Sequence, residues 1–325
     1  MNAEFLEALE EMAKDEGIER DDLYEIVKHG LKAGYIEQFG SVPDLEIEID
    51  RASGDIHIIV NGQKKELSYK DLGRVATRKA EETIRNEITR KRREKILERY
   101  QPKVGQIITG TVHRFQGADV WVKLSDTEAL LPEEERIPGE RYREGAALTA
   151  ILTKVERTSG DPRLVLSRAV KEFVQRLLER EVPEIQQGLL RIEAIAREPG
   201  VRTKAAIRSL TADLDPVGTC VGTGGGRVKE ITRALGGEKI DIIRWSPDLR
   251  DLIKNSLEPA KVTQIDLNEQ AQEARVLVPH EELSLAIGKG GQNVRLTAKL
   301  TSYKIDVTSP EELEQSQEVS TARTV

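Results

Sequence analysis

Two short stretches of the chain carry the same unusual pattern. They are Val221-Gly222-Thr223-Gly224-Gly225-Gly226-Arg227-Val228-Lys229 and Ile287-Gly288-Lys289-Gly290-Gly291-Gln292-Asn293-Val294-Arg295. Each runs from an apolar residue through a glycine-rich bend into a segment with basic residues and apolar periodicity. Glycine at both ends of a tight bend permits positive φ and leaves no Cβ between the backbone and an approaching group. A helix starting at such a bend aims its free N–H groups outward, which suits phosphate. The chemistry offered is therefore the holding of an anionic backbone. The candidate contact residues are Gly222, Thr223, Gly224, Gly225, Arg227 and Lys229 in the first copy. In the second they are Gly288, Lys289, Gly290, Gly291, Gln292, Asn293 and Arg295. Neither stretch is a dinucleotide fingerprint: Arg227 stands where G-x-G-x-x-G requires its last glycine, and the segment before the bend reads as helix rather than strand. Neither has the spacing of a Walker motif.

The repeat extends beyond the bends. Apolar positions Ile231 to Leu235 and Leu296 to Leu300 predict a short helix after each. Lys239-Ile240-Asp241-Ile242 and Lys304-Ile305-Asp306-Val307 then predict a strand. Upstream, a short helix from Glu184 to Gly188 and strands 190–196 and 202–207 precede the first bend. A helix from Leu249 to Leu257 and strands 261–267 and 273–278 precede the second. The order α-β-β-α-α-β resembles a type II KH domain, and the bends resemble its GXXG loop, which in that family clamps about four nucleotides of single-stranded RNA.

Residues 103–170 change to strand periodicity. Residues 104–112, 119–124, 147–155 and 162–167 alternate, with turn residues between them, which predicts a small Greek-key barrel of the OB type. Gly105, Gly110-Thr111-Val112-His113-Arg114-Phe115, Val120-Trp121-Val122-Lys123-Leu124, Glu128-Ala129-Leu130-Leu131-Pro132 and Leu164-Val165-Leu166-Ser167-Arg168 resemble an S1 domain. That resemblance implies stacking of bases on Phe115 and Trp121, with His113, Arg114 and Lys123 as neighbouring cations. Trp121 also alternates with Val120 and Val122, so a place in the core stays open for it.

The N-terminal hundred residues divide by charge. Residues 1–60 hold 16 acidic against 5 basic side chains, so this part does not attract RNA. Residues 61–100 reverse the sign, densest at Arg90-Lys91-Arg92-Arg93, a run that reads equally well as a solvated helix face. A helix with Phe5, Leu6, Leu9 and Met12 on one face is predicted first. A second carries Leu23, Ile26, Val27, Leu31 and Ile36, N-capped by Asp21 or Asp22. A β-hairpin pairs Leu45, Ile47 and Ile49 with Ile56, Ile58 and Val60. A helix from Ser68 to about Arg99 follows, ended by Gln101-Pro102. The single cysteine, Cys220, excludes an internal disulfide and lies among apolar neighbours. Four scattered histidines offer no ligand spacing, and acidic runs such as Glu133-Glu134-Glu135 read as turn. No cofactor, metal or catalytic residue is expected. No apolar run spans a membrane and no signal segment is visible, which places the chain in the cytoplasm.

The order of head, long helix, S1, KH and KH resembles the bacterial NusA transcription factors. The resemblance covers residues 1–308. It is most specific at Glu181-Val182-Pro183-Glu184-Ile185, at Ile195-Ala196-Arg197-Glu198-Pro199-Gly200-Val201-Arg202-Thr203-Lys204, at Asp215 to Gly222 and at Gly237 to Ile242. The fold class is thus a multidomain α+β chain: an α/β N-terminal head with a long connector helix, an S1/OB β-barrel and two type II KH domains. The resemblance implies an RNA-polymerase-binding region at 1–102, S1 at 103–170, KH domains at 171–246 and 247–308, and a disordered tail at 309–325. It further implies a non-enzymatic, monomeric elongation factor. Such a factor binds RNA polymerase and nascent single-stranded RNA, joins further antitermination factors, and modulates pausing, intrinsic termination and antitermination. Two departures bear on this. The first bend has Thr223 where the second has Lys289, so the first is expected to bind more weakly or to lean on Arg227 and Lys229. The chain also reads as a short form without C-terminal acidic repeats. S1 and KH modules alone are equally compatible with an adaptor of an RNA-degradation or ribosome-associated complex.

Overall fold

The computed structural model describes residue 7 and residues 10–11, 13–51, 55–65 and 72–313. Phe5, Leu6, Leu9 and Met12 of the expected first helix lie outside these residues, as do Ser53 and Gly54 of the expected hairpin turn. Two compact units form. One comprises the chain through Lys103 with Ser125–Thr127 and Val155–Leu164, and the other comprises the remainder. Among the described residues no helix is long and apolar enough to cross a membrane.

In the first unit, α1 (Arg20–Phe39) buries Leu23, Ile26, Val27 and Leu31, while Ile36 stays exposed. Asp21 and Asp22 are not its caps. Glu19 takes that position, and the two aspartates sit inside the first turn, where they favour the positive end of the helix dipole. Strands β1 (Leu45–Ile49) and β2 (Ile56–Val60) pair antiparallel with Leu45 opposite Val60 and Ile49 opposite Ile56, as the alternation predicts. A third strand, β3 (Gln63–Lys65), is too short and polar to be read from periodicity. Helix α2 (Arg74–Tyr100) starts later than Ser68: Gly73 is its N-cap, and the Gly73 N–H donates to Gln38 Oε1 at 2.6 Å. Its 27 residues span about 40 Å. Helix α1 can lie close against α2 because Gly30 and Gly34 lack side chains. A Cβ at Gly30 would sit 2.3 Å from Ile84 Cγ1, and one at Gly34 2.6 Å from the Ala76 carbonyl. The basic run on α2 is committed to acids: Arg90 to Glu87 and Glu94, Lys91 to Asp22, Arg92 to Glu16.

The barrel closes in the order β4 (Ile107–Gln116), β5 (Asp119–Lys123), β6 (Glu128–Leu131), β8 (Arg163–Ser167), β7 (Ala147–Glu156), with β7 returning to β4. Val120, Val122, Ala129, Leu131, Leu152 and Leu164 fill it and are fully buried.

Two similar α+β units follow. The first contains α3 (Lys171–Glu181), α4 (Pro183–Gln186), β9 (Leu190–Glu198), β10 (Arg202–Ser209), α5 (Pro216–Val221), α6 (Gly226–Ala234) and β11 (Lys239–Arg244). The second contains α7 (Leu249–Leu257), β12 (Gln264–Asn268), β13 (Glu273–Leu277), α8 (Leu283–Ile287), α9 (Gln292–Thr301) and β14 (Lys304–Thr308). In each, the central strand runs antiparallel to the strand before it and parallel to the strand after it, as the α-β-β-α-α-β order requires. Helix α3 was not anticipated. It contributes Phe173, Val174, Leu177 and Leu178 to the first core, beside the buried Cys220. Residues 309–313 are ordered, contrary to expectation. Ser309 is buried, its Oγ accepts the N–H of Glu312, and its carbonyl accepts that of Leu313. The rest of the expected tail, 314–325, lies outside the described residues.

Buried charge fixes the junctions of the second unit. At the barrel, Arg168 is 4% exposed and engages all three of its nitrogens: Nε and Nη2 reach the Glu140 carboxylate at 2.8 and 2.5 Å, Nη2 also reaches the Ala234 carbonyl at 2.9 Å, and Nη1 reaches the Thr149 carbonyl. Between the two KH units, Ala196, Ala206 and Ile243 pack against Leu252, Leu296 and Leu300. Fully buried Lys204 crosses the same seam, donating from Nζ to the Ser256 carbonyl at 2.6 Å near the end of α7, with Asp241 at 3.4 Å. Burial holds the Lys204 amine below its ordinary pKa, and Asp241 partly opposes that shift.

Candidate nucleic-acid interface

Both bends fold alike. Gly222 and Gly288 leave α5 and α8 with φ/ψ of 72/172° and 75/170°. Gly224 and Gly290 follow at 59/22° and 60/27°, then Gly225 and Gly291 at φ 75 and 76°. All three positions lie in positive φ, which accounts for the glycines. The space around them differs. A Cβ on Gly222 would meet Arg227 Cγ at 2.9 Å, and one on Gly288 would meet Asn293 Cβ at the same distance. Around Gly224 and Gly290 there is nothing within 4 Å. The first glycine of each bend is thus required by packing as well as by φ, whereas the second, Gly224 or Gly290, faces open space. Helices α6 and α9 begin immediately afterwards with no acidic residue in the first turn, so their N-termini keep their positive potential.

The flanking polar residues take equivalent roles in the two copies. Five positions after the first glycine, Arg227 donates to the Thr219 carbonyl at 2.8 Å and Asn293 to the Ala286 carbonyl at 3.0 Å. Each side chain closes the C-terminus of the helix that precedes its bend. Arg227 also makes a two-point contact with Glu184, at 2.9 and 3.2 Å. Partial burial alone would raise the Glu184 pKa, but its backbone hydrogen bond and Arg227 hold it below the usual range. Seven positions after the first glycine, Lys229 Nζ donates to the Gly224 carbonyl at 2.9 Å and Arg295 Nη1 to the Gly290 carbonyl at 2.5 Å. Arg295 also reaches Glu198 of β9 at 3.0 Å, and Lys299 lies 3.7 Å from the same carboxylate. The Arg295 hydrogen bond, with Lys299 beside it, keeps Glu198 below the ordinary glutamate pKa. Thr223 and Lys289 stand exposed at the tips, and Gln292 is half-buried on the first turn of α9.

On the barrel, Val120 and Val122 point inward, so Trp121 faces out and is not core. Arg114 sits opposite it across the β4–β5 ladder, with the guanidinium 4.4 Å from the ring centroid. His113 and Arg114 share Glu128, which the sequence places in the S1 motif but does not mark as their partner. Partial burial pushes the Glu128 pKa up, and the two hydrogen bonds overcome that to leave it low. Phe115, 42% exposed, and Lys123 are open to solvent. The structure therefore gathers Arg114, Trp121 and His113 into one Glu128-centred cluster, with Phe115 at the end of the same strand.

Comparison with known proteins fits this architecture. Family models for the NusA-like first KH domain match residues 168–245, for the second KH domain 249–315 and for the NusA N-terminal domain 4–63. The chain is 35% identical to the transcription termination/antitermination protein NusA of Halalkalibacterium halodurans across 97% of this chain and 90% of that one. It belongs to the NusA family. The NusA proteins of Thermus thermophilus, 36% identical, and Bacillus subtilis, 35% identical, align over 94% and 98% of this chain and 89% and 96% of their own lengths.

Proposed function

We propose that this protein is a non-enzymatic transcription elongation factor that receives nascent single-stranded RNA on its barrel and KH units. Its N-terminal region docks on RNA polymerase, and together these contacts modulate pausing, intrinsic termination and antitermination. The observation that carries the reading is the pair of matching bends, each with an open second glycine, Gly224 or Gly290, in front of an acid-free helix N-terminus. In this reading the backbone at Gly224, Gly225, Gly290 and Gly291 receives phosphates. Lys289, Thr223 and Gln292 add side-chain contacts, while Phe115, Trp121 and Lys123 receive bases and backbone on the barrel. Lys229 and Arg295 hold the bend, and Arg227 and Asn293 brace it from behind. Lys289 makes the second bend the stronger, since its amine has no acidic partner among the described residues.

Exchange of Gly290 and Gly291 for aspartate should abolish most RNA binding by placing carboxylates against phosphate. Undiminished affinity in that variant would overturn the assignment. Co-purification with RNA polymerase that is lost when residues 1–103 are removed supports the docking role. Recovery of a ribonuclease instead would favour the adaptor reading, and turnover of RNA by the purified chain would refute the absence of catalysis.

A further inference from the structure

A cleft of about 300 Å³ lies between the barrel and the first KH unit. Its floor is the Glu140–Arg168 pair described above, and its walls include Arg141, Tyr142, Arg143 and Arg233. The one acid in the lining is spent: Glu140 accepts both Arg168 contacts and the Tyr142 hydroxyl at 2.6 Å. Arg233, at the end of α6, is shared with Glu230 on its own helix. Arg141 and Arg143 are exposed and bond no other side chain among the described residues. Two uncommitted guanidiniums flank a half-buried aromatic ring, which Arg136 covers from 4.9 Å. Burial, reinforced by Glu140, pushes the Tyr142 phenol up to about 12, so it stays neutral beside an anion.

This chemistry is specific. Guanidinium groups bind phosphate oxygens by paired hydrogen bonds. An aromatic ring next to them is what sites for unpaired nucleotides use. The volume sits at the small end of ligand clefts, which excludes a large cofactor and fits a single nucleotide unit. The cleft also opens beside the C-terminal end of α6, the helix whose N-terminus follows the first glycine bend.

We propose that this cleft is a nucleoside-phosphate subsite that holds one unit of a single strand between the barrel and the first glycine bend. The proposal rests on the reading of the chain as an RNA-holding protein. It adds a contact that compensates for the missing lysine at Thr223. Arg141 and Arg143 take the phosphate, and Tyr142 gives the base an apolar side to lie against.

The test uses the full chain, a fluorescein-labelled unstructured RNA, and free AMP as a separate probe. Arg141→Ser/Arg143→Ser removes the two free cations without touching Arg168. A control pair, Arg74→Ser/Arg78→Ser on α2, changes net charge equally. The cleft variant should weaken RNA binding about tenfold at 0.1 M salt and flatten the salt slope by about 1.4, the value for two phosphate contacts on a single strand. The control should change neither. AMP binding that the cleft variant loses, with RNA affinity unchanged, would assign the cleft to free nucleotide and overturn its role in holding a strand. RNA and AMP binding both indistinguishable from wild type would overturn the proposal. Failure of the broader reading looks different: the Gly290→Asp/Gly291→Asp chain would then bind RNA as well as wild type.

Discussion

Replacing Gly288 by alanine and, separately, Gly290 by asparagine should split folding from binding at the second bend. Gly288 lies at φ 75° and ψ 170°, a region essentially reserved for glycine, where another residue costs about 1–3 kcal/mol. Its new Cβ would also sit 2.9 Å from Asn293 Cβ and 3.0 Å from the Asn293 backbone nitrogen. Asn293 cannot easily retreat, because it is 5% exposed and holds the Ala286 carbonyl at 3.0 Å. Overpacking of this kind adds about 1–3 kcal/mol. The total, about 2–6 kcal/mol, is a large share of a domain's stability of about 5–15 kcal/mol. Gly290 is different. At φ 60° and ψ 27° it is in the left-handed region that asparagine tolerates, with open space around it, so stability should stay within about 1 kcal/mol of wild type. On the proposed reading its side chain would nevertheless stand where a phosphate comes in. RNA affinity should drop at least about tenfold, equivalent to about 1.4 kcal/mol. Urea unfolding followed by circular dichroism measures the first effect, and fluorescence anisotropy with labelled RNA the second. A Gly288→Ala chain as stable as wild type, or a Gly290→Asn chain that binds RNA undiminished, refutes the division of labour.

Lys204→Met keeps the side-chain volume but removes the charged donor from the Ser256 carbonyl. Relief of lysine desolvation offsets part of that loss, leaving a destabilisation of about 1–2 kcal/mol in urea unfolding; an unchanged midpoint would show that the link is idle. Gly30→Ala gains about 1 kcal/mol of helix propensity yet forces a Cβ to 2.3 Å from Ile84 Cγ1, an overpacking of about 1–3 kcal/mol. The melting temperature of the N-terminal unit should therefore fall, and a rise would mean that α1 and α2 shift apart at no cost. Glu198 has a lowered pKa when folded. Its link to Arg295 and Lys299 should be fully present above the ordinary glutamate range and disappear as pH falls through the lowered value. Glu198→Gln should remove that segment of the pH–stability profile, and a profile identical to wild type would exclude the coupling.

The bends, the strand order of both KH units and the barrel were legible because they depend on local rules. Positive φ selects glycine, and alternation marks residues 119–124 as a strand, although it leaves open whether Trp121 or the flanking Val120 and Val122 face inward. Helix α3 was legible too, since Phe173, Val174, Leu177 and Leu178 fall on one helical face; it lay unread between the barrel and the first bend. Other features leave no local trace. Arg295 meets Glu198 across 97 positions and Lys204 meets Ser256 across 52, so nothing near either residue announces its partner. Arg227 and Asn293 look like ligands of an anion because they follow a glycine bend. Only the folded chain places Thr219 and Ala286 carbonyls behind them. The start of α2 is not legible because the stretch before Gly73 lacks a breaker, whereas the hydrogen bond that sets the boundary is donated by the Gly73 N–H to Gln38 on another helix.

The buried staples at Arg168 and Lys204 have a consequence for any strand seated at both bends. Flexibly joined modules would adapt to whatever transcript arrived, but modules clamped in one register act as a calipers. The number of nucleotides bridging the two anchored phosphates then becomes a measured quantity: too few leaves one anchorage vacant, and surplus must loop out against chain entropy. Discrimination among transcripts would thereby come from contour length as much as from base identity.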